Sequence, residues 1–264
     1  MLENSGHISF PFDGQSVTIA HTERGHGNPL VYLHGWGCDR AIFTSLQEAL
    51  QDLGKHVLID FPGFGSSSFP PSAWGTVEYM ECLHRFLDKK QTIPCVFICH
   101  SFGGRVALRF AEKFSHQIKG LILISSAGIK KKVPLKKKLR VISTRSLARL
   151  CSKIIPGTMG QRIKQTLYNK IASSDYKNAG KLRPILVKIV NEDLSDLLPG
   201  ITVPTLIING SEDVDTPPEM GRRMAELIPN ATFVELPGFG HLDILNRGRH
   251  QLEHQIRQFL KGIQ

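Results

Sequence analysis

The chain has 264 residues, of which 41% are hydrophobic, and its mean hydropathy is −0.11. This is enough apolar material for one large domain, and no run of about 18 consecutive apolar residues predicts a membrane-spanning helix. The amino-terminal segment has neither the basic nor the apolar region of a secretory signal, so a cytoplasmic location is expected. The cysteines form no C-x-x-C pair, which disfavours a disulfide framework and a thiolate metal site. They are Cys38, Cys82, Cys95, Cys99 and Cys151.

The net charge of +10 is unevenly distributed along the chain. Residues 113–174 contain 15 lysines and arginines and no acidic residue. The rest of the chain has 18 basic and 23 acidic residues, which gives a net charge of −5. Such a basic segment is typical of a surface for an acidic partner, of a face that contacts anionic lipid, or of a solvated helical face.

The first half of the chain alternates predicted strands with predicted helices. It begins with an antiparallel hairpin at residues 7–12 and 16–22, turned at Asp13-Gly14. Short apolar runs predict strands at residues 29–34, 56–60, 95–99 and 121–124. Helical periodicity is present at residues 39–53, 76–87 and 102–114. This alternation predicts an α/β fold, with a mostly parallel, doubly wound sheet covered by helices on both faces.

The alternation stops between residues 128 and 199, where the sequence is basic and helix-prone. It resumes with a strand at 203–209, a helix at 218–227, a strand at 232–236 and a helix at 249–260. We therefore interpret residues 1–127 and 200–264 as two parts of one core. Residues 128–199 are then a helical, basic cap insertion placed as a lid over a site.

The turn after the strand at 95–99 contains the candidate nucleophile, Ser101. A serine between a buried strand and a helix can sit on a sharp elbow with its hydroxyl exposed above the sheet edge. Gly103 and Gly104 provide the small residues that such a turn needs, although Cys99 replaces the first glycine of the G-x-S-x-G pattern. The alternative is a serine that only caps the following helix.

A serine nucleophile needs a histidine base and an orienting carboxylate, in the chain order Ser, Asp or Glu, His. Asp213 follows the strand at 203–209 in the pattern G-x-x-D-x-x-x-P. We choose it over Asp215, whose position before two prolines is typical of a turn residue. His241 follows the strand at 232–236 in a glycine-bearing loop. His100 adjoins the serine, but neighbouring residues on a tight elbow point apart, so it is a poor base.

Acyl transfer also requires two backbone N–H groups to stabilise the oxyanion. The expected donors are the N–H of Phe102, directly after the nucleophile, and that of Trp36, in the loop after the first core strand. His34 is expected to brace this loop without contacting substrate.

Together these segments resemble the α/β-hydrolase superfamily along nearly the whole chain. The resemblance rests on residues 34–37 (HGWG), 60–66 (DFPGFGS), 100–104 (HSFGG), 210–213 (GSED) and 240–241 (GH). Within the superfamily the chain resembles small capped carboxylesterases, including pimeloyl-carrier-protein methyl ester esterases. It is also similar to carbon–carbon hydrolases of aromatic ring-cleavage products. The resemblance implies no cofactor and no metal.

These observations predict a serine hydrolase that cleaves a small-molecule or carrier-bound carboxylic ester through an acyl-enzyme intermediate. One alternative is carbon–carbon hydrolysis of a vinylogous diketone by the same residues. Another is a catalytically silent hydrolase fold that serves as a binding module. The basic insertion suggests an acidic carrier protein or an anionic lipid surface as partner, while the lack of interleaved aromatic residues argues against nucleic acid.

Overall fold

The computed structural model describes residues 4–131, 159 and 174–263, and these residues contain one mostly parallel sheet. The order of its strands is β1-β2-β4-β3-β5-β6-β7-β8. Only the β1/β2 and β2/β4 pairs are antiparallel. The strands are β1 Asn4–Phe12, β2 Gln15–Arg24, β3 Pro29–Leu33, β4 Lys55–Ile59, β5 Cys95–His100, β6 Ile118–Ile124, β7 Thr205–Gly210 and β8 Ala231–Leu236.

Helices cover both faces of this sheet, as predicted. They are α1 Thr44–Ala49, α2 Thr76–Lys90, α3 Phe102–Lys113, α4 Ser174–Asn178, α5 Arg183–Asn191, α6 Pro218–Leu227, α7 Asp243–Asn246 and α8 Arg249–Gly262. Val96 and Ile98 of β5 belong to the apolar cluster that includes Leu252 of α8. Phe97, which alternates with them, points to the other face and contacts Phe110 of α3, with 5.0 Å between ring centroids. Both faces of β5 are therefore buried, which explains its continuous apolar sequence.

The predicted hairpin and one predicted helix have different outcomes. Asp13 and Gly14 have φ angles of 51° and 74°, as a two-residue hairpin turn requires, so the hairpin prediction is confirmed. The helix predicted at 39–53 is confirmed only in part. A 3-10 helix at Arg40–Phe43, started by the Asp39 carboxylate on the N–H of Ala41, comes first, and α1 then ends at Ala49.

The chain divides into two compact units. One comprises Met1–Lys130 and Val187–Gln264, and the other is Lys131–Leu186. In the second unit, the described residues form α4, a 3-10 helix at Gly180–Leu182 and the start of α5. Most of the predicted insertion at 128–199 lies outside the described residues, and its boundaries stay a prediction. Within the described residues, no helix has both the length and the apolar character needed to cross a bilayer.

A buried histidine in the core predicts a pH dependence of stability. The ring of His56 is inaccessible to solvent and its Nδ1 lies 2.8 Å from the Tyr32 hydroxyl. Burial lowers the pKa of His56 from 6.5 to about 4. Below pH 6.5 the His56 side chain is protonated in the unfolded chain but stays neutral in the folded protein. The free energy of unfolding therefore decreases as the pH falls from 6.5 toward 4. Between about pH 7 and pH 5 this histidine should cost about 2 kcal/mol of unfolding free energy.

Urea unfolding at both pH values tests this expectation. The wild type should lose about 2 kcal/mol more than His56→Gln between the two pH values, because the variant lacks the titrating group. His116→Gln, at an exposed position, is the matched control and should behave like the wild type. Equal pH dependence in the wild type and His56→Gln would contradict the assignment.

Candidate active site

Ser101 lies on a tight elbow between β5 and α3. Its backbone has φ 49° and ψ −110°, a conformation that residues with a side chain rarely adopt. Strand and helix approach so closely that a Cβ on Gly103 would lie 2.1 Å from the carbonyl oxygen of Leu33. A Cβ on Gly104 would lie 2.3 Å from Ser126 Oγ. The elbow therefore requires glycine at both positions, whereas it accommodates the fully buried Cys99 side chain before the serine.

The structure brings Ser101, His241 and Asp213 together at the carboxyl ends of β5, β8 and β7. The Oγ of Ser101 is 3.0 Å from Nε2 of His241, and Nδ1 of His241 is 2.9 Å from Oδ2 of Asp213. A carboxylate can only accept a hydrogen bond, so the imidazole proton lies on Nδ1. Nε2 then has a free lone pair directed at the serine hydroxyl and can accept its proton.

Asp213 is surrounded by hydrogen-bond donors. Its Oδ1 accepts the backbone N–H groups of Asp215, at 2.9 Å, and of Thr216, at 2.8 Å. Burial alone would raise the pKa of the Asp213 carboxyl, but the hydrogen bonds and charge of His241 and the donors of Thr216 outweigh it, and the pKa is lowered. The carboxylate is therefore ionised when His241 becomes charged. Asp215, the competing candidate, is exposed and contributes only its backbone to this carboxylate hydrogen bonding.

The carboxylates of Asp213 and Asp215 and the His241 ring also form a group that could hold a metal ion, with ligand atoms within 4.8 Å of one another. The hydrogen bond between Asp213 and His241 already explains the closest of these contacts. A cation bound to Asp213 and to Nδ1 of His241 would have to displace the proton on Nδ1.

His100, which adjoins the serine, is buried, and its ring is directed at the backbone of His241. Its Nε2 lies 2.9 Å from the carbonyl oxygen of His241 and therefore donates to it. Burial, together with the nearby charge of His241, lowers the pKa of His100 to about 3. His100 is thus a neutral hydrogen-bond donor that joins the elbow to the loop of His241.

The loop that contains Trp36, one of the two expected oxyanion donors, lies against the elbow. The buried His34 accepts the N–H of Phe61 at 2.9 Å and donates to the carbonyl of Gly35 at 2.8 Å, so it braces the loop. A Cβ on Gly35 would lie 3.2 Å from that of Ser101. The half-buried Trp36 ring contacts Phe102, with 5.9 Å between centroids. Trp36 and Phe102 are therefore neighbours beside the serine.

Asp60, at the start of the 60–66 motif, positions a nearby loop. Its buried carboxylate accepts the backbone N–H groups of Arg40 and Ser66, both at 2.8 Å, and pairs with the Arg40 guanidinium. A Cβ on Gly65 would lie 2.1 Å from Oδ2 of Asp60, so glycine is needed there. The motif is thus explained by loop structure next to the site.

Sequence reasoning missed two residues that hold the acid loop. Thr216 contacts both Asp213 and His241 through its hydroxyl, and Asn209 donates from Nδ2 to the carbonyl of Thr216 at 2.9 Å. The one available signal was a threonine three residues after the acid, which is a common arrangement for local side-chain capping. That pattern is too frequent in loops to identify a site.

Comparison with known proteins agrees with the α/β fold. The profile of the Alpha/beta hydrolase family matches residues 30–252. Lipase 1 of Psychrobacter immobilis is 25% identical over 249 residues, covering 88% of this chain and 77% of the lipase. Pimeloyl-[acyl-carrier protein] methyl ester esterase of Shewanella woodyi is 29% identical over 242 residues, covering 84% and 90%. The structure of a thermophilic esterase from Thermogutta terrifontis has a TM-score of 0.73 at 24% identity, covering 98% and 99%. Since the family profile spans most of the sequence, the chain belongs to the alpha/beta hydrolase family.

Proposed function

We propose that this protein hydrolyses carboxylic esters by a two-step acyl-enzyme route. Ser101 is the nucleophile, His241 is the general base and then the general acid, and Asp213 orients His241. The backbone N–H groups of Trp36 and Phe102 stabilise the oxyanion. The observation that supports this proposal most strongly is the unbroken chain of hydrogen bonds, 3.0 Å and 2.9 Å long, from Ser101 through His241 to Asp213.

In the first step, Ser101 Oγ attacks the ester carbonyl while its proton passes to Nε2 of His241. The tetrahedral intermediate collapses, the C–O bond to the alcohol breaks, and His241 returns the proton to the departing oxygen. Water then loses a proton to His241 and attacks the acyl-enzyme. Collapse of the second intermediate breaks the bond between the acyl carbon and Ser101 Oγ, His241 returns its proton to Oγ, and the carboxylic acid is released.

The names of similar proteins favour an ester as the substrate. The relatives compared above are a lipase and a methyl ester esterase, and the solved structure is an esterase. Two alternatives compete with ester hydrolysis. One is hydrolysis of a carbon–carbon bond by the same residues. The other is a binding module without activity, which would need no hydrogen-bonded base beside the serine.

A substrate panel tests the proposal. Purified protein should hydrolyse short-chain p-nitrophenyl esters with a burst of p-nitrophenol, leave a dienoate ring-cleavage product intact, and react with a fluorophosphonate probe. Turnover of the ring-cleavage product without ester turnover would favour the carbon–carbon reaction. Absence of both activities and of labelling would favour the binding module.

We also propose that the ester is presented on an acidic carrier or an anionic surface. The pimeloyl-[acyl-carrier protein] esterase of Shewanella woodyi supports a carrier-bound substrate by similarity, and the 15 basic residues at 113–174 support an acidic partner by charge. Attraction of this kind increases the rate of association and weakens with salt. Lys136, Lys137, Lys138 and Arg140, which lie outside the described residues, belong to this segment.

Charge reversal tests the carrier proposal. We replace Lys136, Lys137, Lys138 and Arg140 by Glu. At low salt this should lower kcat/KM about 10-fold or more for an acyl-carrier-protein ester or for an ester held in anionic vesicles. Hydrolysis of a small uncharged ester should be unchanged, and added salt should reproduce the loss in the wild type. Equal activity of both proteins on the carrier and vesicle substrates would leave a solvated basic face as the explanation.

A further inference from the structure

Thr216 has a buried hydroxyl in contact with two members of the proposed triad. The residue is 4% exposed. Its Oγ1 lies 2.8 Å from Oδ2 of Asp213, 3.2 Å from Nδ1 of His241 and 2.9 Å from the carbonyl oxygen of Ser125. Its backbone is also fixed, because its N–H donates to Asp213 Oδ1 and its carbonyl accepts from Asn209.

The number of protons limits what this hydroxyl can do. It has one proton to donate and two lone pairs to accept with. The Ser125 carbonyl and the ionised Asp213 carboxylate only accept, and Nδ1 of His241 only donates while Nε2 faces the serine. Oγ1 therefore accepts a share of the His241 Nδ1–H. Of the two acceptors for its own proton, the charged Asp213 carboxylate at 2.8 Å forms a stronger hydrogen bond than the neutral Ser125 carbonyl at 2.9 Å.

We propose that Thr216 is a positioning residue for the reaction, whose hydroxyl shares the Nδ1–H of His241 with Asp213 and donates to the Asp213 carboxylate. The first contact keeps the imidazole ring from turning about its Cβ–Cγ bond. The second weakens the carboxylate as a base, so that Asp213 stabilises the imidazolium without taking its proton. This inference rests on the proposed ester hydrolysis.

The charge balance around His241 gives the proposal a distinctive readout. Without the hydroxyl, Oδ2 of Asp213 loses a donor, becomes more basic and attracts the imidazolium more strongly. Loss of the acceptor at Nδ1 acts in the opposite direction, but that contact is longer, 3.2 Å against 2.8 Å, and involves no charged acceptor, so the effect on Asp213 dominates. The imidazolium then gives up its proton at higher pH, and the acidic limb of the kcat/KM profile moves upward. The titratable groups near His241 include Asp213, Asp215 and His100, with 4.8 Å between the centroids of the two histidine rings. None of them changes in the variants below.

Two pairs of variants isolate the hydroxyl. The wild type and Thr216→Val differ in the hydroxyl at nearly constant shape, and so do Thr216→Ser and Thr216→Ala at smaller volume. In both pairs the backbone N–H to Asp213 is kept. In each pair, active sites are counted with a fluorophosphonate probe. The variant without the hydroxyl should have a kcat per active site about 10-fold lower than its partner, and a KM within about 2-fold of it. Its acidic limb should lie about half a pH unit higher.

A purely structural role predicts another result. Loss of packing would lower the fraction of active sites and the melting temperature, while kcat per active site and the acidic limb would stay unchanged. That result in both pairs, or an equal loss in Thr216→Ser and Thr216→Ala, would overturn the proposal. If Thr216→Val fails to fold, the Ser and Ala pair decides. Activity retained by Ser101→Ala would instead refute the proposed function itself.

Discussion

Ser101→Ala is expected to abolish ester hydrolysis, with a loss of about five to six orders of magnitude in kcat. The substitution removes one oxygen atom, the one that lies 3.0 Å from the base. Binding of the ester and the oxyanion donors are retained, so the remaining activity is that of an attack by water on the bound ester. Fluorophosphonate labelling should disappear together with the activity, because the probe reacts with the same oxygen.

Ser126→Ala is the matched control for this prediction. Ser126 is a buried serine close to the elbow, and its hydroxyl has no hydrogen-bond partner among the described residues. Its replacement should leave both turnover and labelling near the values of the wild type. Circular dichroism and unfolding in urea should show that both variants fold. Labelling retained in Ser101→Ala would show that another residue is the nucleophile.

Asp213→Asn is expected to lower kcat by about four orders of magnitude. An asparagine amide directed at Nδ1 of His241 donates a hydrogen bond where the carboxylate accepts one. The imidazole then places its proton on Nε2, which faces Ser101 Oγ, and can no longer accept the proton of the serine. KM should change little, because Asp213 is 3% exposed and is held within its own loop.

Asp215→Asn separates this effect from a general change of charge in the acid loop. Its exposed side chain does not hydrogen-bond the Asp213 carboxylate, whereas its backbone N–H, which the substitution keeps, does. The expected loss in kcat is less than about 10-fold. A larger loss for Asp215→Asn than for Asp213→Asn would reverse the assignment of the acid.

The placement of the proposed triad could be inferred from sequence because it follows from the order of local elements. Three short apolar runs, each followed by a loop with Ser101, Asp213 or His241, predict parallel strands, and the carboxyl ends of parallel strands meet at one edge of the sheet. The glycines after Ser101 predict the elbow for a steric reason that a sequence contains directly. Such inferences need only the local sequence pattern and the rule that parallel strands end at the same edge of a sheet.

The residues that tune the site could not be inferred in this way. Thr216 contacts His241 across 25 positions in the chain, and His100 donates to the carbonyl of His241 across 141 positions. These contacts depend on how two loops pack in space, and neither residue type is unusual at its position. The difference at the helix predicted at 39–53 has a local cause instead. Its periodicity was visible, but a carboxylate at its start favours a tighter first turn.

The backbone of Ser101 has a consequence for the evolution of this protein. A residue with a side chain at φ 49° and ψ −110° raises the free energy of the folded state by about 1–3 kcal/mol, and glycine avoids most of this strain. Ser101→Gly should therefore unfold at higher urea concentration than Ser101→Ala, although both are inactive. Random mutagenesis selected only for thermal tolerance should then favour glycine at this position. Under the proposed function, selection for catalysis retains the serine, so stability and activity are opposed at this residue.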